Sequence, residues 1–297
     1  MTSVYNLPHS HLLIFQLIMR LVVQGSAVSY SHLAHIHALC NTSVQFVQNG
    51  QYSYYLANQT QVLPAIQQFC AEQKIDCAYV QDSQVLKNYG LCVMDMDSTL
   101  ISIECIDEIA DMVGIKPQIS AITERAMLGE LDFAQSLRER VQLLNGLSQA
   151  DLLRVLNERL TLNPGAVEWI NTCKQNNIKT LLVSGGFTFF ADRVKEMLGL
   201  DFAVSNTLEI VDEKLTGKVL GNIVDAQTKA DELIKLRDTS GLQATQTIAI
   251  GDGANDLKMM GVAGIGVAYH AKPIVQAQAT YALNYVGLEG VIGLLST

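Results

Sequence analysis

A four-residue apolar run, Leu91-Cys92-Val93-Met94, ends directly in two carboxylates two residues apart, Asp95 and Asp97. The run is short and uncharged, which predicts a buried strand. Residues i and i+2 of a strand point to the same side. A turn just after Met94 therefore brings both carboxylates to the strand's C-terminal edge, where open α/β sheets keep their ligand sites. Two like charges held that close need a cation or a shared proton. The stretch asks for a metal, for acid/base chemistry, or for both.

The same arrangement recurs downstream. Lys179–Val183 is an apolar strand ending in Ser184-Gly185-Gly186, a turn expected to open a helix over Phe187–Leu198. Thr247–Ile250 is another, ending in Gly251-Asp252-Gly253-Ala254-Asn255-Asp256. Further strands are predicted at Phe202–Ser205 and Gly264–Ala268, with helices over Ala226–Arg237 and near Lys272–Ala279. Leu208–Val211 and Lys214–Leu220 flank Asp212-Glu213 as a hairpin. Strands alternating with helices predict a doubly wound parallel sheet.

Between the first strand and the second lies a long stretch, Ile106 to about Leu160, with amphipathic segments such as Phe133–Leu144 and Gln149–Leu160 and no convincing strand. It reads as a helical insertion. The chain ahead of the sheet differs again. Strand-like Leu12–Leu21, helix Ser31–Leu39, strands Ser43–Val47 and Tyr52–Leu56, helix Val62–Glu72 and strand Cys77–Val80 suit a small α+β sandwich. The expected organisation is an N-terminal α+β domain over 1–85, a core over 90–105 and 163–297, and a helical cap over 106–162.

Composition narrows the classes of function. A hydrophobic content of 49% suffices for a buried core. The net charge of −9 argues against nucleic acid or an anionic membrane as the main partner. The one membrane-like stretch, Leu12–Val23, is too short to span and carries Gln16 and Arg20, so it reads as a core element. Six cysteines without a CxxC pair read as reduced thiols of a cytoplasmic protein.

A parallel sheet gathers the polar strand ends on one rim. Asp95, Asp97 and Asp252 there, with little cationic sequence nearby, suit a hard divalent ion such as Mg²⁺. The backbone N–H groups and hydroxyl of the Ser184 turn, with Lys229, can hold a phosphate. One carboxylate can then attack phosphorus while a second moves protons.

These segments resemble the haloacid dehalogenase superfamily of Asp-nucleophile phosphatases, and within it the phosphoserine phosphatases. The resemblance is carried by Asp95-Met-Asp-Ser-Thr-Leu, Glu104-Cys-Ile-Asp-Glu-Ile-Ala, Glu124-Arg-Ala-Met-Leu-Gly-Glu-Leu-Asp-Phe, Ser136-Leu-Arg-Glu-Arg-Val, Ser184-Gly-Gly-Phe-Thr, Asp225-Ala-Gln-Thr-Lys-Ala and Gly251-Asp-Gly-Ala-Asn-Asp-Leu, over roughly 90 to 290. It implies a closing cap over the 106–162 stretch. It also implies Asp95 as nucleophile and Asp97 as general acid/base. Asp95, Asp252 and the Asp97 main-chain carbonyl would bind Mg²⁺, with Asp256 supporting them. Ser184, Gly185, Lys229 and Asn255 would contact the phosphoryl group. Glu104 would pair with a substrate ammonium and Arg140 would clamp a carboxylate, with Met127 and Phe133 lining the pocket.

The activity so implied is hydrolysis of O-phosphoserine to serine and phosphate, in serine biosynthesis. Two alternatives stay open: another small phosphorylated amino acid or metabolite, or an amino-acid sensor with a vestigial phosphatase part. The element order of 1–85 resembles amino-acid-binding ACT modules. The expected partners are a small-molecule substrate and, at most, a second copy of the chain as a homodimer. His32, His35 and His37 lack an acid or Cys partner nearby, and read as structural or surface residues rather than metal ligands.

Overall fold

The computed structural model describes residues 18–297, so positions 12–17 of the first predicted strand, with His9 and His11, lie outside the described residues. Next come strand β1 (Met19–Gln24), helix α1 (Tyr30–Cys40), β2 (Val47–Gln48), β3 (Ser53–Gln59), α2 (Pro64–Glu72) and β4 (Asp76–Gln81). The β-α-β-β-α-β order is the expected one. The sheet is antiparallel, in the order β2-β3-β1-β4. Alternation gives it two buried faces. Leu21 and Val23 pack with Ile36, Ile66 and Cys70 of the helices, whereas Val22 and Val80 join the core of the larger sheet. The predicted strand Ser43–Val47 survives only at its last residue. The Val44 N–H donates to Thr42 Oγ1 at 3.2 Å and its carbonyl lies 2.7 Å from the His37 ring nitrogen. These local bonds replace the ladder.

The second sheet starts at β5 (Leu91–Met94). Four helices follow where one helical stretch was predicted: α3 (Cys105–Met112), α4 (Lys116–Met127), α5 (Phe133–Gln142) and α6 (Gln149–Glu158). Pro117 in the first turn of α4, and capping boxes at Asp132 and Ser148, punctuate them. The chain continues through α7 (Ala166–Gln175), β6 (Lys179–Phe187), α8 (Thr188–Leu198), β7 (Phe202–Val211), β8 (Lys214–Leu220), α9 (Ala226–Thr239) and β9 (Thr247–Gly251). It ends with α10 (Leu257–Val262), β10 (Ile265–Tyr269), α11 (Pro273–Gln276), β11 (Tyr281–Leu283) and α12 (Gly290–Leu295). The sequence reading has no counterpart for α7, β11 or α12. It also splits β7, which runs unbroken. The β7–β8 hairpin is as expected, with both Asp212 and Glu213 at positive φ, 50° and 61°.

The strand order is β11-β10-β9-β5-β6-β7-β8, parallel except for the β7–β8 pair. All four β5 side chains are fully buried. Leu91 and Val93 meet Leu233 of α9 and Met259 of α10 on one face. Cys92 and Met94 meet Trp169 of α7 and Phe190 of α8 on the other. Each such burial is worth about 1.5–3 kcal/mol for the larger side chains. Because β9 and β6 flank β5, the polar tails of three adjacent strands lie side by side. That is also where the connections change direction across the sheet.

The N-terminal unit docks on the end of the chain. Arg20, only 1% exposed, donates to the carbonyls of Gln81, Gln84 and Leu294. The buried Asp76 carboxylate accepts from the backbone N–H groups of Asn284, Tyr285 and Val286. Among the described residues no helix is long and apolar enough to cross a membrane.

Candidate active site

Past Met94 the chain turns tightly. The Asp95 N–H is anchored on the Ile250 carbonyl of β9 at 3.0 Å, and the N–H groups of Thr99, Leu100 and Ile101 all converge on the Met96 carbonyl. Ser98 takes a left-handed conformation, φ 56°. The loop places Asp95 against the β9 tail. Asp95, Asp252 and Asp256 each bring a carboxylate oxygen within 4.8 Å of the others. Thr99 Oγ1 donates to Asp252 Oδ1 at 3.0 Å, and Asn255 Nδ2 reaches Asp95 Oδ2 at 3.4 Å.

One ammonium faces this trio. Lys229, near the start of α9 and 1% exposed, places Nζ 2.6 Å from Asp95 Oδ2 and 2.8 Å from Asp256 Oδ1. Burial works against its charge, but the two carboxylates outweigh it and hold the ammonium above the ordinary lysine value. Three carboxylates against one cation leave a deficit. Burial and the nearby Asp95 push Asp252 up to about 6 and Asp256 up to about 7, against the pull of Lys229. An all-oxygen cluster with uncompensated negative charge is the donor set a hard divalent cation takes. The residues fit Mg²⁺, with Asp256 a fuller member of the group than the sequence suggested.

Asp97 stands on the other side of the turn. Its Oδ1 accepts from the Cys105 N–H at the start of α3, 3.2 Å away. Burial, then the Glu104 and Asp95 charges, push its carboxyl up to about 8. Ser184 lies opposite. A Cβ on Gly186 would come 2.7 Å from Asp97 Oδ2 and 3.1 Å from Ser184 Oγ. Only glycine lets this strand approach Asp97 so closely. The helix expected over Phe187–Leu198 is α8, Thr188–Leu198, but one expectation is corrected: Ser184-Gly185-Gly186 ahead of it is extended strand, not a turn. The reason is a buried bracket, Asn206, which donates to the Gly185 carbonyl and accepts from the Val224 N–H, both at 2.8 Å. The Gly186 N–H is taken by Ser184 Oγ.

Cap and core enclose a cavity of about 150 Å³ lined by Asp95, Asp97, Ser184, Gly185, Asp252 and Asn255 from the core and by Glu104, Phe133, Leu137 and Arg140 from the cap side. Glu104 is the N-cap position of α3 but makes no cap bond. Its Oε1 accepts from Ser98 Oγ at 2.7 Å. Burial raises its carboxyl, and the Ser98 bond opposes that rise. Arg140 is held by the Ser136 carbonyl, Nε to O 3.3 Å, and burial lowers its pKa against the pull of Asp107 and Glu104. Phe133 covers Gly185. Met127 is a second correction: at the end of α4 it is 75% exposed and outside the cavity, because the helix stops there and turns its last residue to solvent. Ile106 and Phe187, which lie in the Glu104 and Ser184 segments but carry no role in the sequence reading, also line the cavity. Lys229 lies beneath the carboxylates rather than on the cavity wall. The N-terminal histidines serve packing: His32 shares in the Ser29 cap of α1 and His35 stacks on Phe69, centroids 4.4 Å apart.

Residues 89–264 match the family model of the haloacid dehalogenase-like hydrolases. The chain belongs to that family. Among relatives of this hydrolase, a phosphoserine phosphatase of Vibrio cholerae serotype O1 is 52% identical over 223 residues, covering 75% of this chain and 68% of its own. The unliganded crystal structure of a probable phosphoserine phosphatase from Vibrio cholerae superposes with a TM-score of 0.83 at 42% identity, over 93% of this chain and 86% of that one. A substrate-bound phosphoserine phosphatase complex superposes with a TM-score of 0.65 at 38% identity, over 70% of this chain and 99% of the other.

Proposed function

We propose that this hydrolase is a phosphoserine phosphatase. It cleaves O-phospho-L-serine through an aspartyl-phosphate intermediate. The observation that carries the reading is the shared cavity, in which the Asp95/Asp97 pair faces Glu104 and Arg140 across a space of about 150 Å³. Its lining offers carboxylates at one end and, in Glu104 and Arg140, partners for an ammonium and a carboxylate at the other. The relatives' names point the same way.

In this reading Asp95 attacks phosphorus, aligned by Lys229 and Asn255. Asp97, protonated near neutral pH, gives its proton to the serine alkoxide as it leaves. Ionised by that step, it then takes a proton from the water that opens the aspartyl phosphate. Ser184 and the Gly185 backbone face the phosphoryl oxygens. Asp95, Asp252 and Asp256, with the Asp97 carbonyl, would hold Mg²⁺, which when bound neutralises charge shared by nucleophile and phosphoryl group. Glu104 takes the substrate ammonium and Arg140 its carboxylate. Residues 1–85 are read as a separate domain resembling ACT modules, 106–162 as the cap, and the location as cytoplasmic, in keeping with six free thiols.

The test is phosphate release by the pure protein with Mg²⁺ across phosphorylated amino acids, sugars and nucleotides. O-phospho-L-serine should exceed all others in kcat/KM. In Arg140→Ala, KM should rise about tenfold or more for phosphoserine and little for phosphoethanolamine, which lacks the carboxylate. Preference for a sugar phosphate, or equal effects on both esters, overturns the assignment.

A further inference from the structure

The N-terminal unit contains a pair of thiols that the phosphatase chemistry does not use. Cys70 lies in the last turns of α2 and Cys77 is the second residue of β4. The Ile75 N–H donates to the Cys70 carbonyl at 2.9 Å, closing the turn between the two elements. Cys77 points to the same side of the chain as Ile75, two residues earlier, and packs against the apolar cluster that holds both Ile75 and Cys70. Both residues line a cleft of about 700 Å³ that separates α2 and β4 from Tyr281 and Asn284 of the core. Cys70 is fully buried and Cys77 partly exposed. The molecule holds a contrasting pair. Cys92 and Cys173 also share one apolar cluster, but both are fully buried in the main core and neither lines this cleft.

We propose that Cys77 and Cys70 form a peroxide-oxidisable dithiol, with Cys77 as the attacking and Cys70 as the resolving thiol. The asymmetry of exposure assigns the roles, because the attacking sulfur must meet the oxidant. In the first step the Cys77 thiolate attacks a hydroperoxide oxygen. An S–O bond forms, the O–O bond breaks, and hydroxide leaves as water after protonation. In the second, the Cys70 sulfur attacks the Cys77 sulfenic sulfur. An S–S bond forms, the S–O bond breaks, and water leaves. Two thiols and one hydrogen peroxide give one disulfide and two waters. The product ties the end of α2 to β4.

The full-length protein tests this directly. Lys74 separates the two cysteines, and no Lys or Arg occurs between Arg20 and Lys74. In a Cys40→Ser background, the tryptic peptides 21–74 and 75–87 therefore carry one cysteine each. After hydrogen peroxide and alkylation of remaining thiols, they should appear as one cross-linked species that a thiol reductant separates. Cys70→Ser should stop at a Cys77 sulfenic acid that dimedone traps, and Cys77→Ser should leave Cys70 alkylatable. All three variants should retain phosphate release, which shows that they fold. An alkylatable Cys77 in the peroxide-treated parent overturns the proposal. So does sulfinic acid at Cys77 without a cross-link, or a Cys92–Cys173 disulfide formed first.

Discussion

Lys229 Nζ lies 2.6 Å from Asp95 Oδ2 in a site almost closed to water. The same ammonium holds Asp256 at 2.8 Å, so one cation bridges the proposed nucleophile and a carboxylate of the proposed metal site. Lys229→Met leaves two buried carboxylates uncompensated. The expected loss of stability is about 3–5 kcal/mol, and kcat should fall about 10²–10³-fold. Urea unfolding and phosphate release check both. Stability close to the parent's would show that the triad is no structural ion pair.

Asp95→Asn removes the proposed nucleophile and keeps its shape. The fold should survive and turnover should vanish. Asp97→Asn separates the two chemical steps, because an amide neither gives nor takes the proton. Its loss should be about 10²–10⁴-fold, and smaller for p-nitrophenyl phosphate, whose leaving group needs no proton. Steady phosphate release by Asp95→Asn would refute its assignment as nucleophile.

Much of this is legible in the amino-acid sequence. β5, β6 and β9 were visible because buried parallel strands read as apolar runs, and their polar tails named Asp95, Asp97, Ser184 and Asp252. Less visible was anything set by distant chain. The Ser184 segment stays extended because Asn206, twenty-two residues on, brackets it. Met127 sits on a helix whose face only tertiary packing decides. Strand β11 and helix α12 are short and lack a period of their own, so the tail that receives Arg20 and Asp76 was invisible. The Ser98 contact to Glu104 has no sequence signal beyond adjacency to the motif.

Ser98 Oγ donates to Glu104 Oε1 at 2.7 Å, which fixes one carboxylate oxygen and leaves the other for the ammonium that the proposed reading gives it. Ser98→Gly removes the hydroxyl while keeping the left-handed backbone, φ 56°. Losing one charge-assisted bond is worth about 1.5 kcal/mol. KM should therefore rise about tenfold for phosphoserine and phosphoethanolamine and stay level for an ester without an amine, such as phosphoglycolate. A uniform rise would place the effect in the loop and not in Glu104.

The crowded carboxylates also couple pH to metal. Asp252, Asp256 and Asp97 stand near 6, 7 and 8 in the folded chain, against an ordinary value of 3.8. A carboxyl raised on folding binds its proton more tightly when folded. Its contribution is therefore present at low pH and is lost as pH rises through the folded value. In EDTA, Tm should fall between about pH 4 and about pH 8. Mg²⁺ takes the place of those protons, so its stabilisation should be larger at the top of that window than at the bottom. Calorimetry with and without Mg²⁺ reads both, and a pH-independent Mg²⁺ shift would contradict the assignment.

Asp76 couples the N-terminal sheet to the core through three backbone N–H groups, from Asn284 at 2.8 Å, Tyr285 at 2.7 Å and Val286 at 3.0 Å. The carboxylate is 4% exposed, so water cannot replace it in place. Asp76→Ala strands those donors, each worth about 1 kcal/mol or more when left unmet, and should cost about 3 kcal/mol in all. Asp76→Asn keeps one acceptor oxygen and should lose less. Because the contact lies on β4 and the tail after β11, away from the cavity residues, phosphate release should be unchanged while amide exchange at 284–286 accelerates. Parent-like exchange in Asp76→Ala would mean that the tail is held by the packing of β11 and α12 instead.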